Sequence, residues 1–234
     1  MKKQILLGLL ALIPFACVVD NRPPGPPKEM TYDLESFEEI EVGHAMKVEI
    51  VQSSRSRVRA KGVQRDIDDL RVRVSGSTLH IGYDQQFSNS NREELRLRIE
   101  TPHVRALSVS GACNAGLVDF DNINDLSIDV SGAANLFLDS EIENLEADLS
   151  GASEVKLVKD LRALKVEASG ASSLDAKNIR IGRAYIDASG GSSLHLGKLA
   201  DLLEVDASGG SSIEYSGTPQ VRQDLSGGAS LHQD

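Results

Sequence analysis

A Ser-Gly dipeptide followed by Ala or Gly recurs along the second half of this chain. It begins at Ser110, Ser131, Ser150, Ser169, Ser189, Ser208 and Ser226, at intervals of 18 to 21 residues. In each copy, apolar residues precede the Ser by one, three and often five positions, and others follow it by five and seven. A unit this short cannot bury its apolar face alone, whereas stacked copies share one continuous core. The repeat therefore predicts an all-β chain that forms a parallel β-solenoid with about seven regular turns.

The repeated dipeptide predicts the corners of the coil. The expected corner residues are Ser110, Gly111, Ser131, Gly132, Ser150, Gly151, Ser169, Gly170, Ser189, Gly190, Ser208, Gly209, Ser226 and Gly227. Gly permits the positive φ or the close approach that a tight corner needs, and a side chain at that position would oppose both. We expect the stacked Ser hydroxyls to hydrogen-bond the backbone groups that each corner frees.

Residues 31–103, ahead of the regular repeats in 104–234, carry a weaker β pattern. Apolar and polar residues alternate in 40–51, 70–83 and 95–102, and turn residues separate these segments. Period-two alternation favours strands, and no window has the apolar stripe of a helix. We therefore expect less regular β turns at the N-terminal end of the same domain.

The first residues are typical of a secretory signal. Lys2 and Lys3 precede a mostly apolar segment, 5–16, which is too short to span a bilayer. Cys17 follows, in an arrangement that resembles the lipobox of bacterial lipoproteins, in which the Cys receives lipid and becomes the mature N-terminus. We predict a signal peptide in 1–16 and a membrane anchor at Cys17; ordinary cleavage beside an incidental Cys is the alternative.

Residues 17–30 are predicted to link the anchor to the domain. Four Pro and one Gly lie within 20–30, a composition that favours extended backbone over a helix or a central strand. If Cys17 carries lipid, Cys113 is the one remaining thiol. No intramolecular disulfide is then expected, and stability has to come from packing.

The strands "FEEIEVGHAMKVEIVQ", "LHIGYD" and "LRLRIETP", followed by the series of "SGA" corners, resemble the head GIN domain, also called the putative auto-transporter adhesin domain. The resemblance covers about residues 31–234 and depends on the repetition of the corners. It implies a right-handed parallel β-helix and an exported protein, here an outer-membrane lipoprotein of the type found in Bacteroidetes. It brings no catalytic motif with it.

The charge of the chain restricts its partners. Lys and Arg number 25 against 35 Asp and Glu, a formal net charge of −10. Such a chain repels the phosphates of nucleic acids, so these are excluded as partners. A glycan and an envelope protein remain open as partners, and no cofactor is predicted.

Stacked turns place equivalent residues in columns, and one column is acidic. Two positions before the corner Ser stand Asp129, Asp148, Glu167, Asp187, Asp206 and Asp224. Carboxylates about 4.8 Å apart repel each other, so something has to offset the repulsion. We expect basic neighbours and corner hydroxyls to neutralise the column; binding of Ca²⁺ or of a basic surface is the alternative, which the lack of a convergent loop disfavours.

A second column, six positions after the corner Ser, ends in Asp175, His195, Glu214 and His232. These residue types bind Zn²⁺ or act as acids and bases, so the four are weak candidates for a metal site. Ion pairs between adjacent turns are the favoured interpretation. The remaining histidines, His44, His80 and His103, are interpreted as surface or turn residues.

No catalytic residue is predicted. Ser172, Ser192 and Ser211 lie close to corners, but no His keeps a fixed offset from them and no nucleophile elbow is present. The favoured function is therefore a non-enzymatic, adhesin-like or scaffold surface in the cell envelope. A carbohydrate-active enzyme, a polysaccharide lyase or hydrolase built on a β-helix, is the alternative.

The C-terminal end of the solenoid has no obvious cap in the sequence. An open end exposes unpaired strand edges. We expect either end-to-end homodimerisation or protection of the end by Gln223, His232 and Gln233.

Overall fold

The computed structural model describes residues 22–84 and 92–234. The predicted signal peptide, 1–16, and the predicted anchor, Cys17, lie outside the described residues. Within the described part of the chain, no helix is both long and apolar enough to cross a bilayer.

Strands that precede a corner lie side by side in a stack that we call wall 1. In spatial order, wall 1 contains β6 (Thr78–Tyr83), β2 (Glu39–Val42), β8 (Ala106–Val109), β10 (Ile123–Val130), β12 (Ile142–Leu149), β14 (Leu161–Ala168), the second halves of β15 (Ser173–Ala188) and β16 (Ser193–Ala207), and β18 (Gln220–Leu225). All these pairings are parallel, and Val130 lies opposite Leu149. Residues nineteen apart are therefore neighbours, as the repeat predicts.

Strands that follow a corner form the second stack, wall 2. In spatial order, wall 2 contains β7 (Leu95–Thr101), β3 (Met46–Gln52), β9 (Asn114–Val118), β11 (Asn135–Asp139), β13 (Glu154–Leu157), the first halves of β15 and β16, β17 (Ser212–Gly217) and β19 (Ser230–Gln233). Every one of these pairings is parallel as well. The predicted all-β solenoid of stacked parallel coils is confirmed.

The core lies between the walls and is filled by aliphatic columns. One of them consists of Leu126, Leu145, Leu164, Ala184 and Leu203, which are paired in register and at most 2 % exposed. Each of these side chains removes its apolar surface from water by contacting the same position of the coils above and below, which is what stabilises the stack.

Antiparallel strands and a short helix cover the N-terminal end of the stack, which we call the capped end. β4 (Arg57–Val63) pairs with β7, β1 (Pro27–Asp33) pairs with β4, β5 (Leu70–Ser75) pairs with β6, and α1 (Gln64–Asp69) follows β4. The helix is six residues long and buries Ile67. The sequence pattern did not predict this helix. A helix of one and a half turns is too short to display a periodic apolar stripe.

The cap also contains part of the segment expected to be a linker. β1 begins at Pro27, and the amides of Gln64 and Arg65 donate to the carbonyls of Pro26 and Pro24 at 2.9 and 3.0 Å. The described residues from 22 to 30 therefore lie against the domain. Proline is compatible with this strand because β1 is an edge, where a missing N–H costs no ladder hydrogen bond.

The N-terminal coils are not stacked in chain order. The β2–β3 coil lies between the β6–β7 coil and the β8–β9 coil. Its corner is Gly43-His44-Ala45, so the stack has an eighth corner of the same kind beyond the seven that the repeat predicts. His44, expected in a turn or on the surface, occupies the position that glycine holds in the other corners, with a φ of 73°.

Candidate binding site

The corner glycines stack backbone against backbone. Gly111, Gly132, Gly151, Gly170, Gly190, Gly209 and Gly227 have φ between 67° and 78°. A Cβ on Gly151 would lie 2.6 Å from the carbonyl oxygen of Gly132, and the amide of Ala152 donates to that oxygen at 2.7 Å. Backbone amides, and not side chains, therefore hold successive corners together.

The corner serines contribute less than the sequence led us to expect. Where their hydroxyls approach a carbonyl of the neighbouring coil, at Ser110, Ser169 and Ser189, the distance is 3.5 Å. The shorter bonds come from serines three positions later: Ser172, Ser192 and Ser211 are 1 % exposed and donate to the corner carbonyls at 2.9 to 3.1 Å. The hydroxyls that support the corners are thus inside the core.

The acidic column is one continuous line on the outer face of wall 1. Its members, Asp129, Asp148, Glu167, Asp187, Asp206 and Asp224, are exposed and paired in register from coil to coil. Towards the capped end the column continues through Ser108, Glu41 and His80. Neighbouring strands of a sheet lie about 4.8 Å apart, so the carboxylates of successive coils follow one another at about that spacing.

Little of the expected neutralisation of this column is present. Lys165 is the one basic residue that pairs with it among the described residues, at 3.0 Å from Glu167, and it is shared with Glu146 at 2.7 Å. Burial, followed by the charges of Glu167, Glu146 and Asp129, raises the pKa of Asp148. The ionised column therefore repels itself, and a cation placed along it would relieve that repulsion.

The second column contains paired charges. Lys156 Nζ lies 3.5 Å from Asp175 Oδ2, and His195 Nδ1 lies 2.7 Å from Glu214 Oε2. His232 Nε2 lies 3.7 Å from Asp234 Oδ1. Across residues 22–84 and 92–234, no three His, Cys, Asp or Glu side chains converge as metal ligands would. Asp175, His195 and Glu214 therefore make polar contacts with a neighbouring coil, whereas His232 contacts Asp234 in its own coil.

One short chain of side chains has the order of a nucleophile, a base and an orienting acid. Ser193 Oγ lies 3.3 Å from His195 Nε2, whose Nδ1 contacts Glu214. Acyl transfer also needs hydrogen-bond donors for the oxyanion. The amide of Ser193 already donates to the carbonyl of Ser172 at 3.0 Å, as a ladder bond of the sheet. That amide is therefore already used, and the three side chains form a polar contact between neighbouring strands of wall 2.

A groove that sequence reasoning missed crosses wall 1 at the capped end. Its volume is ≈ 710 Å³, and its lining includes Arg73, His80, Tyr83 and Asp129. The strands that meet there belong to the cap and to the first coils, which are far apart in the sequence. The available signal was "VGHAM", a corner in which His44 replaces the usual glycine.

Aromatic and basic side chains support one side of this groove. The rings of His44 and Tyr83 meet edge to face with centroids 5.2 Å apart, and the Arg92 guanidinium lies 3.8 Å from the Tyr83 ring centre. Burial raises the pKa of Tyr83, and burial together with the charge of Arg92 lowers the pKa of His44. Both rings are therefore neutral near pH 7 and add no charge to this side of the groove.

Solved structures with the same architecture include proteins from Bacteroides and Parabacteroides species. A putative adhesin from Bacteroides fragilis aligns over 89 % of this chain and 96 % of its own, with a TM-score of 0.77 and 18 % identity. A putative lipid binding protein from Parabacteroides distasonis aligns over 93 % and 99 %, with a TM-score of 0.72 and 17 % identity. A putative adhesin from Parabacteroides merdae aligns over 93 % and 98 %, with a TM-score of 0.67 and 14 % identity. At these identities the likeness shows a shared fold.

No curated protein sequence matches the chain. The family described as "Putative auto-transporter adhesin, head GIN domain" matches residues 36–219, a range that starts just ahead of β2 and ends before β18. That range contains six of the seven Ser-Gly corners together with the Gly43-His44 corner. The chain therefore belongs to the head GIN domain family of putative auto-transporter adhesins.

Proposed function

We propose that this chain is a non-enzymatic binding protein of the cell envelope, adhesin-like in its action, whose acidic column is the contact surface. The observation that carries the proposal is the run of six in-register acids on wall 1, among which only Glu167 has a basic partner, Lys165, within the described residues. The partner groups that such a surface fits are basic side chains or other cationic groups.

A line of equivalent, regularly spaced sites suits adhesion. Each exposed carboxylate gains little from a single ion pair. When several contacts form on one partner, each later contact is made at high effective concentration, so weak contacts add up to firm attachment. The regular spacing of the coils is what presents the carboxylates in this way.

The proposal also includes export of the protein and its attachment to the outer membrane by lipid. The family name supports an adhesin-like, exported protein. The charged and apolar order of residues 1–16, followed by Cys17, supports lipid attachment at the outer membrane. The described chain begins five residues beyond Cys17 and lies against the cap from there, so the capped end of the solenoid would be the end nearest the anchor.

The test compares two variants of equal charge. One carries Asp148→Asn and Asp187→Asn, within the column; the other carries Asp121→Asn and Asp201→Asn, which are exposed elsewhere. Each is adsorbed to a surface coated with a lysine decapeptide and eluted with increasing NaCl. We expect the column variant to elute at lower salt than the control, because the column offers several carboxylates to one peptide and Asp121 and Asp201 are not part of it.

Equal elution of the two variants would show that binding to the peptide depends only on net charge, and would contradict the proposal. A parallel measurement of reducing ends released from polysaccharides tests the enzymatic alternative. If the wild-type protein releases reducing ends, carbohydrate cleavage and not adhesion is its function.

A further inference from the structure

The groove at the capped end exists because the residues of its floor are glycines, which have no side chain to fill it. It crosses β5, β6, β2, β8 and β10, and its floor has Gly82 and Gly43 where the next coils have Ser110 and Ser131. A Cβ on Gly43 would approach Ser110 Oγ to 3.0 Å, and a Cβ on Gly82 would approach His44 Cε1 to 3.3 Å. Its volume of ≈ 710 Å³ is within the range of ligand sites.

Both arginines that line the groove lie at one end of it, beside Asp84 and Glu41. Arg71 and Arg73 project from the same face of β5 and both line it. Arg71 Nε lies 3.1 Å from Asp84 Oδ2, whereas Arg73 is exposed and has no ion-pair partner among the residues described. Opposite Arg73, His80 Nδ1 lies 2.6 Å from Glu41 Oε2, so that Glu41 is already engaged. The guanidinium of Arg73 is therefore available to an anion.

The other end is acidic and rich in hydroxyl groups. Ser108, Ser110 and Ser131 line it together with Asp129, the first acid of the column. Four strand spacings separate Arg73 from Asp129, a distance of about 19 Å. Serine hydroxyls donate and accept hydrogen bonds, and an ionised carboxylate accepts them, so this end fits neutral hydroxyl groups.

We propose that this groove binds a short, hydroxyl-rich oligosaccharide that carries one anionic group at one end. The anionic group pairs with Arg73, whose planar guanidinium suits a carboxylate or a phosphate. The neutral rings extend along the glycine floor towards Ser108, Ser110 and Asp129, where their hydroxyls donate to the carboxylate. This site shares Asp129 with the contact surface of the proposed function, and its other residues lie outside that column of six acids.

The charge pattern selects against other ligands of similar length. A chain with an anion on every unit, such as a polyuronate or a nucleic acid, would place charges against Asp129 and would be repelled. An entirely neutral chain would leave Arg73 without its partner and would bind more weakly. Only a ligand that is anionic at one end matches both ends of the groove.

The test uses three glucose trisaccharides and calorimetric titration of the full-length protein. One trisaccharide is neutral, one ends in glucuronate and one ends in a 6-phosphate. We expect the glucuronate and phosphate probes to bind at least about tenfold more tightly than the neutral probe. The ratio between the two charged probes identifies which anion the site prefers, and either order supports the shared chemistry. Equal binding of all three probes, or no heat at millimolar concentration, overturns the proposal.

Two variants locate the binding in the groove. Arg73→Gln should weaken the charged probes about tenfold or more without affecting the neutral one, and Arg183→Gln, an exposed arginine on the same wall outside the groove, should change nothing. Gly43→Ser fills the floor with the residue that other coils carry and should weaken all three probes. An unchanged melting curve, followed by circular dichroism, shows that this variant folds. Wild-type affinity in Arg73→Gln contradicts the site and leaves the adhesion test of the column unaffected.

Discussion

Asp148 shows what the stacking of coils does to a single residue. Its side chain is exposed, yet it stands between Asp129 and Glu167 in the column, with Glu146 beside it. Partial burial raises its pKa above the usual 3.8, and the neighbouring carboxylates raise it further. A proton on Asp148 is therefore held more tightly in the folded state than in the unfolded state.

This shift predicts a pH-dependent effect of Asp148→Asn. Because the folded pKa is raised, the contribution of Asp148 to stability is fully present below pH 3.8 and is lost as the pH rises through the raised value. At pH 7 the ionised side chain thus opposes folding, and the neutral amide removes that opposition. We expect the urea midpoint of Asp148→Asn to exceed that of the wild type at pH 7, and the difference to shrink below pH 3.8.

The control for this prediction is Asp201→Asn, which removes an exposed carboxylate outside the column. It should shift the midpoint less at pH 7, since Asp201 has no column of acids beside it. A lower midpoint for Asp148→Asn than for the wild type at pH 7 would mean that the column does not repel itself.

At the scale of the element, the corner is the unit that fixes the spacing of the coils. The Gly132 carbonyl accepts from the amide of Ala152, and Gly151 accepts from Ala171 in the next coil, both at 2.7 Å. Each contact leaves no room for a Cβ and requires a positive φ. The His44 corner starts the same series, with its carbonyl accepting from the amide of Ala112 at 2.9 Å.

Gly151→Ala should therefore be strongly destabilising. The new methyl group would lie 2.6 Å from the Gly132 carbonyl oxygen, at a residue with a φ of 73°. Backbone strain and displacement of the neighbouring coil together predict a loss of at least about 2 kcal/mol in the free energy of unfolding. Urea denaturation followed by circular dichroism measures it.

Gly116→Ala is the matched control. Gly116 lies in β9 with an ordinary φ, and its nearest neighbour to a new Cβ would be Val118 Cγ1 at 3.8 Å. The same chemical change should cost far less there. Similar losses at both positions would mean that the corner contacts are not what holds the coils at their spacing.

The two ends of the whole molecule are protected in different ways. At the N-terminal end, β1, β4, β5 and α1 cover the stack with their own apolar residues. At the C-terminal end, two core positions of the last coil hold amides: Gln223 lies opposite buried Val205, and Gln233 lies opposite Tyr215 and donates to the carbonyl of Gly217 at 2.6 Å. His232, expected to help cover this end, instead faces Glu214 along wall 2.

The polar residues at the C-terminal end predict that apolar replacements there will make the protein dimerise. The double variant Gln223→Leu with Gln233→Leu would extend the aliphatic columns to the surface, beside Leu225 and Leu231. Two such ends would bury this surface against each other, so we expect concentration-dependent dimers in light scattering. The wild-type protein should stay monomeric under the same conditions.

The control double variant is Arg222→Leu with His232→Leu, which adds the same side chains on the outer faces of the last coil. It should dimerise less, because those positions do not continue the core columns. A wild-type dimer at the same concentration would instead favour end-to-end pairing through the amides.

The stacked coils could be predicted from the sequence because each contact between coils joins residues that are one repeat apart. A spacing of 18 to 21 residues brings Asp129 beside Asp148 and His195 beside Glu214, whatever the rest of the chain does. Positions within a column follow directly from that spacing. What surrounds a column does not: Lys165 pairs with Glu167, but basic partners for the other acids were expected and the described residues do not supply them.

The sequence by itself determined the solenoid, its corners and its columns, since each depends on contacts between residues one repeat apart. Only the tertiary structure decided where the β2–β3 coil inserts, how Pro27 and α1 join the cap, and that Gly43 and Gly82 meet to form a groove floor. Those arrangements depend on burial between segments distant in the chain. No periodic pattern encodes them, because each contact is made once.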